Sequence, residues 1–366
     1  MSKQIKHIKV IISGGGTGGH IFPALAIANE IKLRHPDAEI LFVGAKGRME
    51  MEKVPAAGYP IKGLWISGIN RTQMWKNLVF PFKLLSSLYK SYRIIRQFKP
   101  DFVVGTGGFA SGAILYVAQK KGIPTFIQEQ NSYPGITNKL LAKNVLKIYT
   151  AYDGLEKFFN PKKIVKTGNP VRSDLQNIKV SKHEALTNFG LDGRRKTILV
   201  IGGSLGARPV NEAIEKILSY LRQNNYQLIW QTGKNHFENY QKYQDEYIKV
   251  LPFITRMQDA YAAADLIITR AGAGTISELS MVGKPVILVP SPYVAEDHQT
   301  KNALALANRQ AAVLLPENEL DKLAETITEI LKNDEKKQQL SQNIQHFAMP
   351  DATKHIVDDI LKTLKI

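Results

Sequence analysis

Cysteine is absent from this chain of 366 residues, which excludes a disulfide framework and any thiolate chemistry and is compatible with a reducing compartment. No run approaches the ~18 uninterrupted apolar residues of a membrane-spanning helix. The N-terminus has neither the long apolar core nor the small-residue cleavage site of a secretory signal. A soluble or peripheral protein of the cytoplasm is therefore expected. No Asp-x-Asp pair occurs, so there is no ready acidic clamp for a metal-bound diphosphate. Gly233-Lys234 and Gly283-Lys284 continue with Asn235 and Pro285 rather than Ser or Thr, which argues against a P-loop nucleotidase. Low-complexity runs and short-period repeats are lacking too.

Acidic residues are scarce in one half only. The formal charge is +17, but residues 1–168 carry 25 Lys+Arg against 9 Asp+Glu, a net +16, and the remainder carries 24 against 23, a net +1. A basic half joined to a neutral half points to an anionic partner on one domain, either nucleic acid or an anionic membrane surface. The stretch 71–99 separates the two. It holds Arg71, Lys76, Lys83, Lys90, Arg93, Arg96 and Lys99 with no acid, interleaved with Met74, Trp75, Leu78, Val79, Phe80, Phe82, Leu84, Leu85, Leu88 and Tyr89. Bases among large apolar side chains make an interfacial composition, each base contributing about 1 kcal/mol at an anionic surface. Pro81 interrupts the helical period, so Trp75, Leu78, Val79, Phe80 and Phe82 are expected to touch a membrane. From Leu84 to Ile95 the apolar residues serve equally well as the inner face of a helix. No nucleic-acid reader motif is present, and no nucleic-acid partner is expected.

The length suits two domains. Apolar runs alternate with helical patterns throughout, the signature of parallel sheets wrapped by helices. Strands are expected at 8–12, 40–44, 101–105, 124–128 and 147–150, then at 197–202, 226–231, 248–250, 265–268, 286–290 and 312–315. Gly168-Asn169-Pro170-Val171-Arg172 suits a hinge, giving domains 1–168 and 169–350. A charged helical tail, 351–366, is expected to pack back onto the first. The fold class is α/β, two doubly wound Rossmann-like domains with ligands in a cleft facing their strand C-termini.

Three glycine loops follow strands and open helices: Ser13-Gly14-Gly15-Gly16-Thr17-Gly18-Gly19-His20, Gly105-Thr106-Gly107-Gly108-Phe109 and Gly202-Gly203-Ser204-Leu205-Gly206-Ala207. Such loops let bare backbone N–H groups approach a phosphate at the positive end of a helix. Two in the first half and one in the second suggest two diphosphate-bearing ligands. The first formally matches the dinucleotide fingerprint, but no acid ends the next strand, where Ala45-Lys46-Gly47-Arg48 stands, so a nicotinamide cofactor is not expected. The strongest constellation is Thr269 to Leu279. There Ala273, Gly274, Thr275, Ile276 and Ser277 open a short helix, and Glu278, a turn in, is placed to accept ribose hydroxyls.

Taken in order and at their spacing, these motifs resemble one family, the MurG-type glycosyltransferases, over nearly the whole chain. Glu129-Gln130-Asn131, Gly135-x-Thr137-Asn138-Lys139 and Glu296-Asp297-His298-Gln299 extend the likeness. It implies a two-domain fold of glycosyltransferase B type, metal-independent, without cofactor and inverting. The reaction would pass N-acetylglucosamine from UDP-N-acetylglucosamine to an undecaprenyl-diphosphate-linked muramoyl-peptide at the cytoplasmic face of the cell membrane. Carried over, Thr17, Gly18 and Gly19 lie near the donor sugar, while Gly16, Gly107 and Gly108 meet the acceptor diphosphate. Asn131 bonds a sugar hydroxyl, Arg172 and Ser204 contact the nucleotide phosphates, and the Ile254 backbone reads uracil. Residues Ala273–Glu278 hold diphosphate and ribose, and Gln299 the donor sugar. His20 closes the first loop as catalytic base, acceptor-orienting residue or loop brace. A UDP-N-acetylglucosamine 2-epimerase, a nucleotide-sugar sensor and a transferase to diacylglycerol are the competing readings.

Overall fold

Strands of a parallel sheet are covered on both faces, so they read as continuous branched apolar runs rather than as alternating ones. Val10-Ile11-Ile12 and Ile198-Leu199-Val200-Ile201 are such runs, fully buried or nearly so, and each lies inside a sheet. In the computed structural model the chain divides into two compact units, Met1–Val171 with Met349–Ile366, and Arg172–Ala348. Residues 7–68, 78–171, 175, 179–203, 206–294 and 297–366 are described.

The first unit is built on seven strands: β1 (Lys9–Gly14), β2 (Glu39–Ala45), β3 (Ile61–Leu64), β4 (Phe102–Gly107), β5 (Thr125–Glu129), β6 (Lys147–Thr150) and β7 (Ile164–Lys166). All pair parallel in the order β3-β2-β1-β4-β5-β6-β7. The second unit repeats the plan with β8 (Lys196–Ile201), β9 (Tyr226–Gln231), β10 (Ile248–Leu251), β11 (Leu266–Thr269), β12 (Val286–Leu288) and β13 (Val313–Leu314). These run β10-β9-β8-β11-β12-β13, again all parallel. Strand order reverses between β1 and β4 in one sheet and between β8 and β11 in the other. Loops leaving those strands diverge there, opening the crevice in which doubly wound sheets bind ligands. The sequence reading lacks β3 and β7. Both are short edge strands, and partial exposure with a lysine in each weakens the apolar run that marks inner strands.

Helix Phe80–Phe98 turns an unusual face inward. Ser87, Ser91, Ile94 and Ile95 are buried, Ser87 Oγ donating to Trp65 O at 3.0 Å, and Leu84 and Leu88 pack partly against the core. Phe82 is 67% exposed and Leu85 and Tyr89 66% each, with Tyr92 on the same side. Spacings of three and four residues set these four on one stripe. The two readings of 84–95 thus divide between the two faces of one helix. Leu78 and Val79 are exposed as well, Phe80 is half-buried, and Trp75 lies outside the described residues. Among the described residues no helix is long and apolar enough to cross a membrane.

The last helix, Ala352–Leu364, adds Ile356, Val357, Ile360 and Leu361 to the core that holds Ile21, Ala24, Ile27 and Ile31. Tyr149 Oη donates to Asp359 Oδ2 at 2.9 Å, and Arg34 pairs with Asp358. Because Ile356 and Ile360 are completely buried, trimming either to alanine is expected to destabilise the first unit by about 2–5 kcal/mol. Urea or thermal unfolding of Ile356→Ala and Ile360→Ala measures this. Losses under about 1 kcal/mol would mean that the helix only rests on the surface.

Candidate active site

The first and second glycine loops leave neighbouring strands, β1 and β4, and press on one another. Gly15 N donates to Gly107 O at 3.3 Å. Gly108, at φ +90°, faces the Gly15 carbonyl so closely that a Cβ would lie 2.5 Å from that oxygen. Thr106 Oγ1 donates to His20 O at 2.7 Å, which ties the second loop to the start of helix Gly18–Arg34. His20 is half-buried, and its Nδ1 lies 2.9 Å from Gly15 O. A carbonyl only accepts, so Nδ1 carries the proton, and the neutral ring then has its lone pair on Nε2, on the side of Gly107. This bond braces the loop from one ring nitrogen and turns the other the opposite way.

The first loop also rests on a residue that the sequence reading does not single out. Glu50 is completely buried. Its Oε2 accepts from Gly16 N and its Oε1 from Ala45 N, each at 2.9 Å. An acid does therefore reach the end of β2, but it holds loop backbone rather than a ribose. The Gly16 N–H thus points to Glu50, while the N–H groups of Gly18 and Gly19 precede the helical bonds to Thr17 O.

Asn131 is placed by Glu129, which is 1% exposed. Glu129 Oε1 accepts from Asn131 N and Nδ2 at 3.0 and 3.1 Å, and Oε2 from Gly135 N and Asn138 Nδ2 at 3.0 and 2.8 Å. Gln130 Nε2 donates to Thr106 O at 2.8 Å. Through Thr106, Asn131 belongs to the same bonded network as His20.

In the second unit, buried Gln231 ties two loops together. Its Nε2 donates to Gly203 O at 3.0 Å and its Oε1 accepts from Ile254 N at 2.8 Å. The Ile254 N–H is thus engaged within the unit. After β11, Arg270 donates to Val289 O and Pro290 O at 3.1 and 3.2 Å and pairs with Glu317. Gly272 then caps helix Ala273–Val282. The first helical bond runs from Ile276 N to Gly272 O at 2.9 Å, so the N–H groups of Ala273, Gly274 and Thr275 precede the helical ladder. The side chains of Ala273 and Ile276 are buried, and Ser277 Oγ donates to Ala273 O at 3.1 Å. Glu278 Oε2 accepts from Tyr261 Oη at 3.1 Å, and Tyr261 is 1% exposed. Helix His298–Ala307 is joined to this loop by Asn302 Nδ2, 3.4 Å from Ala271 O, while Gln299 Oε1 accepts from Ser291 N at 2.9 Å. Arg172 and Ser204 lie outside the described residues. Glu50, Gln231 and Tyr261 are missed by the sequence reading, because a carboxylate, amide or phenol aimed at backbone or at a neighbouring acid leaves no spacing pattern.

Family models describe the matching segments as "Glycosyltransferase family 28 N-terminal domain" over residues 10–150 and "Glycosyltransferase family 28 C-terminal domain" over residues 197–356. A Flavobacterium psychrophilum protein named "UDP-N-acetylglucosamine--N-acetylmuramyl-(pentapeptide) pyrophosphoryl-undecaprenol N-acetylglucosamine transferase" is 57% identical over 99% of both chains. The chain belongs to the MurG family of glycosyltransferases. A Christiangramia forsetii protein of the same name is 54% identical over 98% of both chains. The crystal structure of Acinetobacter baumannii MurG superposes with a TM-score of 0.76 at 30% identity, covering 97% of this chain and 99% of that one. The family's two-domain α/β architecture and the two sheets described above agree.

The close approach of the first two loops can be tested directly. Gly108→Ala forces a Cβ against the Gly15 carbonyl at a backbone angle that only glycine tolerates well, and about 1–3 kcal/mol of stability should be lost. An unchanged melting temperature would mean that the two loops separate freely.

Proposed function

We propose that this chain transfers N-acetylglucosamine from UDP-N-acetylglucosamine to the 4-hydroxyl of the muramoyl sugar of undecaprenyl-diphosphate-muramoylpeptide, with inversion, in peptidoglycan synthesis. The observation that carries this reading is the 57% identity, end to end, with a transferase so named. The 4-hydroxyl gives its proton to His20 Nε2 as its oxygen bonds the anomeric carbon, and the bond from that carbon to the diphosphate oxygen breaks on the opposite face. Charge building on the departing UDP is met by the N–H groups of Ala273, Gly274 and Thr275 at the positive end of their helix. Arg172 and Ser204 contact the same diphosphate. Glu278, held by Tyr261, accepts from the ribose hydroxyls, and the Ile254 carbonyl meets the uracil edge. Asn131 and the Gln299 amide bind sugar hydroxyls. Thr17, Gly18 and Gly19, with Gly107 and Gly108, receive the acceptor diphosphate and the adjoining sugar.

The first unit would meet an anionic membrane surface on the cytoplasmic side through Leu78, Val79, Phe82, Leu85 and Tyr89, with Phe80 beside them. Positive charge is crowded behind this face. Burial, and then the like charges of Lys46 and Lys62, push the Lys90 ammonium below its ordinary value. Anionic headgroups relieve such crowding.

His20→Ala is expected to lower kcat by about 10²–10⁴-fold while UDP binding, measured calorimetrically, stays within about twofold. A fall of less than about tenfold would remove His20 from the role of base. For the membrane face, the triple change Phe82→Ser, Leu85→Ser, Tyr89→Ser should weaken partition onto anionic vesicles by at least about tenfold and leave turnover of a soluble acceptor analogue intact. Equal loss of both would assign the stripe to the fold.

A further inference from the structure

One peptide unit, that between Gly15 and Gly16, is held from both ends. Its carbonyl oxygen accepts from His20 Nδ1 and its N–H donates to Glu50 Oε2, both at 2.9 Å. The two groups of a trans peptide point in opposite directions within one conjugated plane, so His20 and Glu50 face each other across a single amide. Three further observations show that the arrangement is built. Glu50 is wholly buried yet bonded at both carboxylate oxygens, the second to Ala45 N at 2.9 Å. A Cβ at Gly15 would fall on that carboxylate, so the close approach requires glycine. Thr17 Oγ1, the other group near Nδ1, stands farther off at 3.4 Å.

We propose that Glu50 is a positioning residue that acts on His20 through the Gly15–Gly16 peptide, as a directly bonded carboxylate does in a Ser-His-Asp triad. A carboxylate accepting from the amide N–H draws electron density toward the carbonyl oxygen and strengthens it as an acceptor for Nδ1–H, since linked hydrogen bonds polarise one another. Two consequences follow. The ring is locked in the tautomer whose lone pair is on Nε2, and positive charge arriving on it is opposed by negative charge one amide away. In the transfer step the acceptor O–H bond breaks and an Nε2–H bond forms. Nδ1 keeps its own proton, and Glu50 takes none. This inference rests on the reading of His20 as proton acceptor.

Glu50→Gln tests it, because the amide keeps the shape but offers only one accepting oxygen in place of two. The expected result is a fall in kcat of about 10–100-fold, with donor KM and the melting temperature little changed. In a His20→Ala background the same substitution should cost less than about threefold, since residues acting as one unit are not additive. An equal drop in both backgrounds would make Glu50 a support of the fold alone and overturn the proposal. Nitrogen-15 NMR of the unmodified protein gives an answer that needs no variant. His20 should show a protonated Nδ1 and an unprotonated Nε2, and a dominant Nε2–H tautomer would overturn the proposal. If His20→Ala scarcely affects turnover, the base assignment fails, whereas the tautomer, compared between the unmodified protein and Glu50→Gln, still reports on Glu50.

Discussion

Parallel pairing of β1 with β4, and of β8 with β11, is the constraint on which the rest of the molecule depends. Each pair sets two strand ends side by side while the chain leaves them in opposite directions. Only at such places can two loops approach one ligand without crossing. The loops must be nearly bare, because a phosphate reached by main-chain N–H groups tolerates no side chain in between. Glycine is therefore concentrated where β1, β4 and β8 end. The polar side chains that shape these loops come from behind: Glu50, Thr106 and Gln130 in one unit, and Gln231 in the other.

That division of labour separates what could be read in the sequence from what could not. Inner strands were legible because burial on both faces leaves an unmistakable apolar run, as in Val103-Val104 or Ile267-Ile268. The four inner strands of the second unit follow from that signal, and its two edge strands, β10 and β13, are read as well although neither is fully buried. Edge strands β3 and β7 were not, since a strand with one bare edge and a partly wet face mixes its residue types. The glycine loops and the helix start at Ala273 were legible for the opposite reason, as interruptions of pattern next to a strand. The groups that orient them were hidden, because Glu50 and Tyr261 act through contacts between segments far apart or turned back on themselves. Sequence spacing carries no record of such contacts. Gly16 is a case in point, for its N–H is turned to a carboxylate that the motif does not contain.

Helix Phe80–Phe98 illustrates a second limit. Its apolar residues suit either a core or an interface, and composition alone cannot choose between them. The structure divides the helix lengthwise, with serines and isoleucines inward and Phe82, Leu85, Tyr89 and Tyr92 exposed. Small inward residues let the helix lie close against its neighbours, which leaves the bulky ones for whatever covers the outer side.

The helix that completes the first sheet's covering comes after the whole second unit in the chain. Residues 352–364 fill a core whose other walls were laid down before residue 172. During synthesis, Ile21, Ile27 and Ile31 therefore wait without this part of their cover until the whole of the second unit has emerged. A ribosome stalled between residues 348 and 352 would release a chain with the second sheet finished and the first still lacking this cover.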